Sequence, residues 1–159
     1  MKILIISLPR SGSTSLLERY SGILRLNRFD EPFSKLNNRP YNLEDNSVVK
    51  TIISQKPVDF YLEYISNFDK VILLSRKDLK ACAESMAYLS YNMDKGFKHF
   101  QNYIWEKTPN YDKIVEYINK CEADLKTISD VHKIPIKYYE DIFNINSYNR
   151  QRKTKKNIL

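Results

Sequence analysis

Residues 3–14 read Ile3-Leu4-Ile5-Ile6-Ser7-Leu8-Pro9-Arg10-Ser11-Gly12-Ser13-Thr14. The apolar run that opens this stretch is typical of a buried β-strand, and the Ser/Pro/Gly turn after it leads into a segment of helical character, 13–20. Gly12 is one of only 3 glycines in the chain, so we expect it to have a backbone role in the turn. The stretch therefore predicts a strand, a tight loop and a helix, which is the first half of a βαβ unit.

Strands and helices alternate in the rest of the pattern as well. β-rich runs predict strands at 47–54, 70–75 and 134–139, and a shorter one at 22–28. Helical spacing of apolar residues predicts helices at 58–68, at 79–91 behind an Asp78 N-cap, and at 111–131. Because most of these strands are apolar throughout, we predict an α/β fold of three layers, in which helices cover both faces of a parallel sheet.

Two segments fit this alternation less well. The polar stretch 37–46 contains Pro40 and predicts a loop. The aromatic-rich stretch 95–110 is either a helix that lines a substrate pocket or part of the core, and the core interpretation is favoured.

Length and charge limit the classes of function. A chain of 159 residues makes one domain, which we place at 1–145, and has no room for separate nucleotide and substrate domains. A basic tail, 146–159, follows it. Five of the charges behind the net charge of +7 lie at 150–156, so residues 1–149 carry only about +2. Nucleic acid is therefore a disfavoured partner, because binding would rest on the tail alone.

The sequence predicts a cytoplasmic protein without a membrane partner. The apolar run 3–6 is too short to span a bilayer, and no stretch of signal-peptide length precedes a small-residue cleavage site. Cys82 and Cys121 match neither a CxxC motif nor a zinc spacing, so we expect reduced thiols in or near the core and no metal site.

The loop after the first strand has the character of an anion site. Compared with the pattern GxxxxGK[ST], residues 7–14 keep the second glycine and the final threonine, whereas Ser13 replaces the lysine. An ATP-type loop is therefore disfavoured. The small residues at 11–13 let backbone N–H groups approach a phosphate, Arg10 adds a fixed charge, and Ser13, Thr14 and Ser15 add hydroxyl donors. Taken alone, these residues are also consistent with a Ser/Gly turn that only caps the helix.

Pro9-Arg10-Ser11-Gly12-Ser13-Thr14 resembles the 5′-phosphosulfate-binding loop of sulfotransferases that use 3′-phosphoadenosine 5′-phosphosulfate, which often reads PRSGST. The resemblance implies a P-loop NTPase-like sulfotransferase fold. It also implies that the donor's 5′-phosphate is bound by residues of this loop, namely Arg10, Ser11, Gly12, Ser13, Thr14 and Ser15.

A second segment resembles the same family. Sulfotransferases hold the donor's 3′-phosphate with an Arg at the end of a later strand and a Ser in the next helix, and residues 71–85 offer Arg76 and Ser85 in that order. The family spacing is commonly eight residues, whereas Arg76 precedes Ser85 by nine and Lys77 by eight. Arg76 is our first choice for this role and Lys77 the second. The string Arg76-Lys77-Asp78 with Ser85 is similar to the trehalose-sulfotransferase-like branch, and a Tyr-Glu-Asp at 139–141 is a weaker similarity.

The resemblance also implies a catalytic base for the acceptor hydroxyl, which is His in some branches and Glu in carbohydrate sulfotransferases. Glu31, which precedes Pro32 after the predicted second strand, resembles the family's Glu-Pro and is our candidate, with Asp30 as a neighbouring competitor. The alternative is that Glu31 is only an exposed acid in a loop. His99 stays open as an alternative, and His132 is expected to lie far from the loop.

The leaving group of such a reaction needs a cation, and Arg10 is the first candidate. Lys50, inside an apolar strand, is either a second cation of this kind or a strand-end lysine that reaches solvent. Some sulfotransferases close a basic C-terminal segment over the 3′-phosphate, so Arg150, Arg152 and Lys153 are candidates for that role, although a solvated tail is favoured.

We therefore expect a sulfotransferase that moves a sulfuryl group from 3′-phosphoadenosine 5′-phosphosulfate to a hydroxyl acceptor, such as a sugar or another small molecule, without a metal. Two alternatives stay open. One is a small nucleotide or metabolite kinase with a degenerate phosphate loop, and the other is a non-catalytic nucleotide-binding module.

Overall fold

The computed structural model describes residues 1–35, 41–92 and 110–143, and its core is one parallel sheet of five strands. The strand order is β2-β3-β1-β4-β5, and all four neighbouring pairs are parallel. The strands are β1 (Lys2–Ser7), β2 (Asn27–Asp30), β3 (Ser47–Ile52), β4 (Lys70–Ser75) and β5 (Ile136–Tyr138). The predicted α/β class with a parallel sheet is confirmed.

The helices lie between the strands in sequence. They are α1 (Ser13–Leu24), α2 (Val58–Tyr64), α3 (Leu79–Asn92), α4 (Tyr111–His132) and α5 (Tyr139–Ile142), with short 3₁₀ turns at Ile53–Gln55 and Ile65–Asn67. The predicted Asp78 cap is confirmed, because its Oδ1 accepts a hydrogen bond from the Ala81 backbone N–H at 2.9 Å.

The central strand β1 faces two different sets of helices. Its odd positions, Ile3 and Ile5, pack in one core cluster with Leu16 and Leu17 of α1. Its even positions pack in a second cluster with side chains from α2 and α4 (Leu4, Ile6, Tyr61, Leu125 and Ile128). Side chains of a strand point alternately to opposite faces, so helices cover both faces of the sheet.

The connections explain this placement. The chain crosses two strand positions from β1 to β2 and two positions in the opposite direction from β3 to β4. Because crossovers between parallel strands are almost always right-handed, connections that run in opposite directions put α1 and α2 on opposite faces. Where the direction reverses, a crevice opens at the carboxyl ends of the strands, which is the usual ligand site of open α/β sheets.

The strand predicted at 22–28 is wrong. Helix α1 continues to Leu24, the chain turns at Arg25 in the left-handed region (φ 51°), and β2 begins only at Asn27. A left-handed residue after a helix is usually Gly, but Gly22 lies inside the helix here. The apolar pair Ile23 and Leu24, which is partly exposed in the last turn, produced the misleading strand pattern.

Other predictions have mixed outcomes. Both cysteines are free and buried, as predicted. No helix in the described ranges has the length and apolar character that crossing a membrane requires. Most of the segment 95–110 and the whole of the tail 146–159 lie outside the described residues.

Candidate functional site

A cleft of about 530 Å³ lies at the carboxyl ends of the strands, where the crossover direction reverses. It collects residues from the β1–α1 loop, from the ends of β2, β3 and β4, and from α3, α4 and α5. Its lining is Pro9, Arg10, Gly12, Ser13, Thr14, Glu31, Lys50, Ile52, Ser54, Gln55, Arg76, Ser85, Tyr117 and Tyr139. Three cationic side chains and a carboxylate therefore share one cavity.

The β1–α1 loop is a compact turn that opens the N-terminus of α1 to the cleft. The Leu8 N–H donates to Leu74 O at 3.1 Å, and Ser11 Oγ donates back to Leu8 O at 2.8 Å, which together fix the loop to the sheet. Gly12 is the N-cap residue at φ 79° and has no side chain to cap the helix. The first N–H groups of a helix have no partner within it, so they face the cleft as potential anion donors.

Gly12 is required at this position for two reasons. Its φ of 79° lies in the left-handed region, where side chains are strained, and a Cβ there would overlap the Cδ2 and Cε2 atoms of Tyr139. Tyr139 begins α5 at the end of β5. The Tyr139 ring of α5 therefore packs directly against the loop, in the space that a side chain at position 12 would occupy.

Arg10 lies in the same loop, also in the left-handed region (φ 62°). Its Nε donates to Ser85 Oγ of α3 at 2.9 Å. The sequence motifs predict Arg10 at the 5′ end of a donor and Ser85 at the 3′ end, but the structure brings the two side chains together. Non-glycine residues in strained backbone regions cluster at functional sites, and the backbone of Arg10 has this character.

Arg76, at the end of β4, is enclosed on several sides. Its guanidinium carbon lies 5.3 Å from the centre of the Tyr139 ring, and its Nε lies 3.5 Å from Glu140 Oε1. This Nε is buried and makes no hydrogen bond within the described residues. Arg76 thus lines the cleft with its guanidinium over the Tyr139 ring and its Nε paired with Glu140.

Lys77, the second choice for the same role, is directed elsewhere. Its Nζ pairs with Asp141, which raises the pKa of Lys77 above its ordinary value, and it is not among the residues that line the cleft. Glu140 accepts the backbone N–H groups of Lys77 at 2.9 Å and Asp78 at 3.3 Å. The Tyr-Glu-Asp segment therefore organises the start of α3.

Lys50 is almost fully buried, with 3% of its side chain exposed, so the alternative of a strand-end lysine reaching solvent is wrong. Its Nζ lies 2.8 Å from Asp30 Oδ1, 2.5 Å from Glu31 Oε1 and 3.4 Å from Thr14 Oγ1. Burial raises the pKa of Asp30, but hydrogen bonds and charge from Lys50 and Arg28 outweigh it and hold the pKa below its ordinary value. Lys50 thus binds two adjacent carboxylates at the rim of the cleft.

Glu31 follows β2 with a left-handed backbone (φ 51°), and its N–H donates to Lys50 O at 2.8 Å. Its second carboxylate oxygen, Oε2, accepts from Gln55 Nε2 at 2.8 Å. Sequence reasoning missed Gln55, and only its position just after β3 hinted at this contact. It also missed Tyr117 of α4, whose hydroxyl pairs with Ser54 Oγ inside the cleft and whose pKa is raised, mainly by burial.

Of the remaining candidates, some line the cleft, some lie elsewhere in the fold, and one is outside the described residues. Ser13 and Thr14 line the cleft, whereas Ser11 is buried in the turn and Ser15 is exposed outside it. His132 lies with its Nε2 3.1 Å from Leu62 O and, as expected, does not line the cleft. His99 lies outside the described residues.

Comparisons with known proteins do not assign the chain to a family. No protein-family model, no curated protein and no solved structure matches the chain.

Proposed function

We propose that this chain is a sulfotransferase that takes a sulfuryl group from 3′-phosphoadenosine 5′-phosphosulfate and delivers it to a hydroxyl acceptor. One observation carries the proposal. The open N-terminus of α1, Arg10 with Ser85, and Arg76 line the same cleft as Glu31 with its partner Lys50. The cleft therefore offers two positions for anions and one carboxylate, which is the combination that such a reaction needs.

The donor end fits a ligand with two separated phosphate groups. One anionic group would be held by the backbone N–H groups at Gly12 and Ser13 together with Thr14 Oγ1. The other would be held by the guanidinium of Arg76 and the hydroxyl of Ser85, which both line the cleft. Arg10, donating to Ser85, extends the positive charge between them.

The acceptor end offers a base. As an acceptor oxygen attacks sulfur, the bond from sulfur to the oxygen of the 5′-phosphate breaks, adenosine 3′,5′-bisphosphate leaves, and the acceptor's proton passes to Glu31. Lys50 and Arg10 supply positive charge for the oxygen that leaves. Ser54 and Tyr117 line the same cleft as this carboxylate and favour a hydroxyl-rich acceptor such as a sugar, since their hydroxyls can hydrogen-bond its other hydroxyls.

The same proposal extends to the fold, which we infer to be the P-loop NTPase-like sulfotransferase fold. The strand–loop–helix at 2–24 and the placement of Arg76 at the end of β4 support it. Ser13 occupies the position of the lysine in ATP-type loops, so a kinase is the weaker candidate. A non-catalytic nucleotide-binding module would bind the same donor, so only a measurement of turnover distinguishes it from the proposed enzyme.

Thermal-shift titration tests the proposal with adenosine 3′,5′-bisphosphate, ATP with Mg²⁺, and AMP. Only the bisphosphate is expected to raise the melting temperature strongly, because a ligand that binds only the folded state stabilises it by mass action. Equal stabilisation by ATP with Mg²⁺, and none by the bisphosphate, would contradict the proposal. Incubation with ³⁵S-labelled donor and a panel of sugars, including trehalose, then separates an enzyme from a binding module.

A further inference from the structure

Gln55 lies in the short 3₁₀ turn after β3 and contacts the carboxylate of Glu31. Its Nε2 donates to Glu31 Oε2 at 2.8 Å, while Lys50 Nζ lies 2.5 Å from the other oxygen, Oε1. The two oxygens of Glu31 therefore have different partners, a neutral amide on one side and a cation on the other.

The orientation of the Gln55 amide is fixed by the backbone of β3. The Ile52 N–H points at Gln55 Oε1 at 3.3 Å, and Thr51 Oγ1 lies 3.0 Å from the same atom. A backbone N–H can only donate, so the atom that faces it has to be the carbonyl oxygen of the amide. The NH₂ group of Gln55 is thereby directed at Glu31.

The anchor of this amide reaches into the core. The hydroxyl of Tyr61, which is fully buried, lies 2.9 Å from Thr51 Oγ1 and donates to Ile52 O at 2.9 Å. Burial raises the pKa of Tyr61 to about 12, so the hydroxyl stays protonated and keeps its donor at neutral pH. Side chains locked by packing and by further hydrogen bonds hold a reactive group more accurately than side chains that stand alone.

We propose that Gln55 is a positioning residue that sets where the Glu31 carboxylate stands in the cleft; the inference rests on the proposed role of Glu31 as the base. The Lys50 ion pair holds one oxygen of the carboxylate, and the Gln55 amide holds the other. The amide fixes its second oxygen without adding charge, and a carboxylate oxygen has a further lone pair that can accept the acceptor's proton. Gln55 itself touches no reacting atom, so it acts on the transfer step and not on donor binding.

A double-mutant comparison tests this role, with single-turnover consumption of ³⁵S-labelled donor as the readout and either water or a sugar as acceptor. Gln55→Leu is expected to slow consumption about tenfold, since small misplacements of a catalytic group are costly, and to leave the Kd for adenosine 3′,5′-bisphosphate within about twofold. In a Glu31→Gln background, Gln55→Leu is expected to cause no further slowing. Equal slowing in both backgrounds would overturn the proposal, because the effect would then not pass through Glu31.

The variant Gln55→Glu tests whether the slowing in Gln55→Leu comes only from a general loss of structure. Its carboxylate still accepts from Thr51 and from the Ile52 N–H, but it presents a negatively charged oxygen to Glu31 in place of a donor. We expect folding to be retained and donor consumption to fall at least as much as in Gln55→Leu. Wild-type consumption by a folded Gln55→Glu protein would also overturn the proposal.

A third measurement is independent of turnover. In ¹⁵N spectra, the side-chain NH₂ pair of Gln55, assigned through Gln55→Leu, is expected to shift and to exchange its hydrogens faster in Glu31→Ala. Unchanged signals in Glu31→Ala would show that the contact is absent. If the wild-type protein neither binds the bisphosphate nor consumes the donor, the proposed function fails, and these signals decide the Gln55 contact alone.

Discussion

Arg10 Nε lies 2.9 Å from Ser85 Oγ, a hydrogen bond between the β1–α1 loop and α3 across 75 residues of sequence. If both side chains bind one donor, removing Arg10 costs a charge-assisted interaction of about 1.5–3 kcal/mol, whereas removing Ser85 costs about 0.5–1.5 kcal/mol. We expect Arg10→Ala and Arg76→Ala each to weaken adenosine 3′,5′-bisphosphate binding by roughly 10- to 100-fold, and Ser85→Ala by up to roughly tenfold.

Isothermal titration calorimetry measures these affinities. Lys120→Ala is the matched control, since it removes one positive charge from an exposed ion pair with Asp124 that is not among the residues lining the cleft. A control that weakens binding as much as Arg10→Ala would show that the effect is one of overall charge.

Gly12 and Gly22 are expected to respond in opposite directions to alanine. Gly12→Ala combines a left-handed backbone with overlap on the Tyr139 ring, so we expect a loss of about 1–3 kcal/mol of unfolding free energy and a loss of bisphosphate binding. Gly22 is helical, and a Cβ there meets nothing within 4 Å, so Gly22→Ala should stabilise by about 0.5–1 kcal/mol.

Urea denaturation of both variants measures the difference. Adding Tyr139→Ala to Gly12→Ala removes the overlap but not the backbone strain, so stability should recover only in part. If Gly12→Ala and Gly22→Ala destabilise the protein to a similar extent, the result contradicts the role given to Gly12.

Lys50→Met leaves Asp30 and Glu31 side by side without their shared cation. Breaking a buried ion pair on one side costs about 3–5 kcal/mol, and because both carboxylates are partly exposed we expect about 2–3 kcal/mol here. The triple variant Lys50→Met, Asp30→Asn, Glu31→Gln should regain most of that loss, because no uncompensated charge remains. Chemical denaturation at low and high salt checks both values, and a triple variant as unstable as Lys50→Met would argue against charge as the cause.

Alkaline pH is expected to destabilise the protein in steps. Burial raises the pKa of Cys82 from 9.0 to about 11 and that of Tyr61 from 10.0 to about 12. In each interval the folded state binds more protons than the unfolded state, so stability is fully present below the unfolded value and falls as pH rises through the folded one. For Tyr61 the loss is about 2–3 kcal/mol between pH 10 and 12.

Denaturant midpoints measured from pH 8 to 12 give the dependence of stability on pH. Tyr61→Phe should lower stability at pH 8, through its lost hydrogen bonds, and flatten the slope above pH 10. A slope that Tyr61→Phe leaves unchanged would place the titrating group elsewhere.

The fold was largely predictable because its signals are local. The apolar runs at 3–6 and 70–75 and the Asp78 cap each report their own structure, so β1, β4 and α3 were placed correctly. The end of α1 was not, since the left-handed turn falls on Arg25, and no glycine marks it.

The site was predictable only in part, for a different reason. The order of motifs pointed to Arg10, Arg76 and Ser85, and the structure places all three on one cleft. The Arg10–Ser85 and Gln55–Glu31 hydrogen bonds depend on how the sheet brings distant loops together, which no local pattern encodes.

The strand order also determines when the β1–α1 loop can form during synthesis. Strand β1 is made first but pairs with residues 47–52 on one side and 70–74 on the other, and the loop is fixed to Leu74 through Leu8. At ribosomal rates of about 5–20 residues per second, the apolar residues 3–6 wait on the order of several seconds for both partners. The apolar residues of this first strand are therefore exposed to aggregation until β4 has emerged.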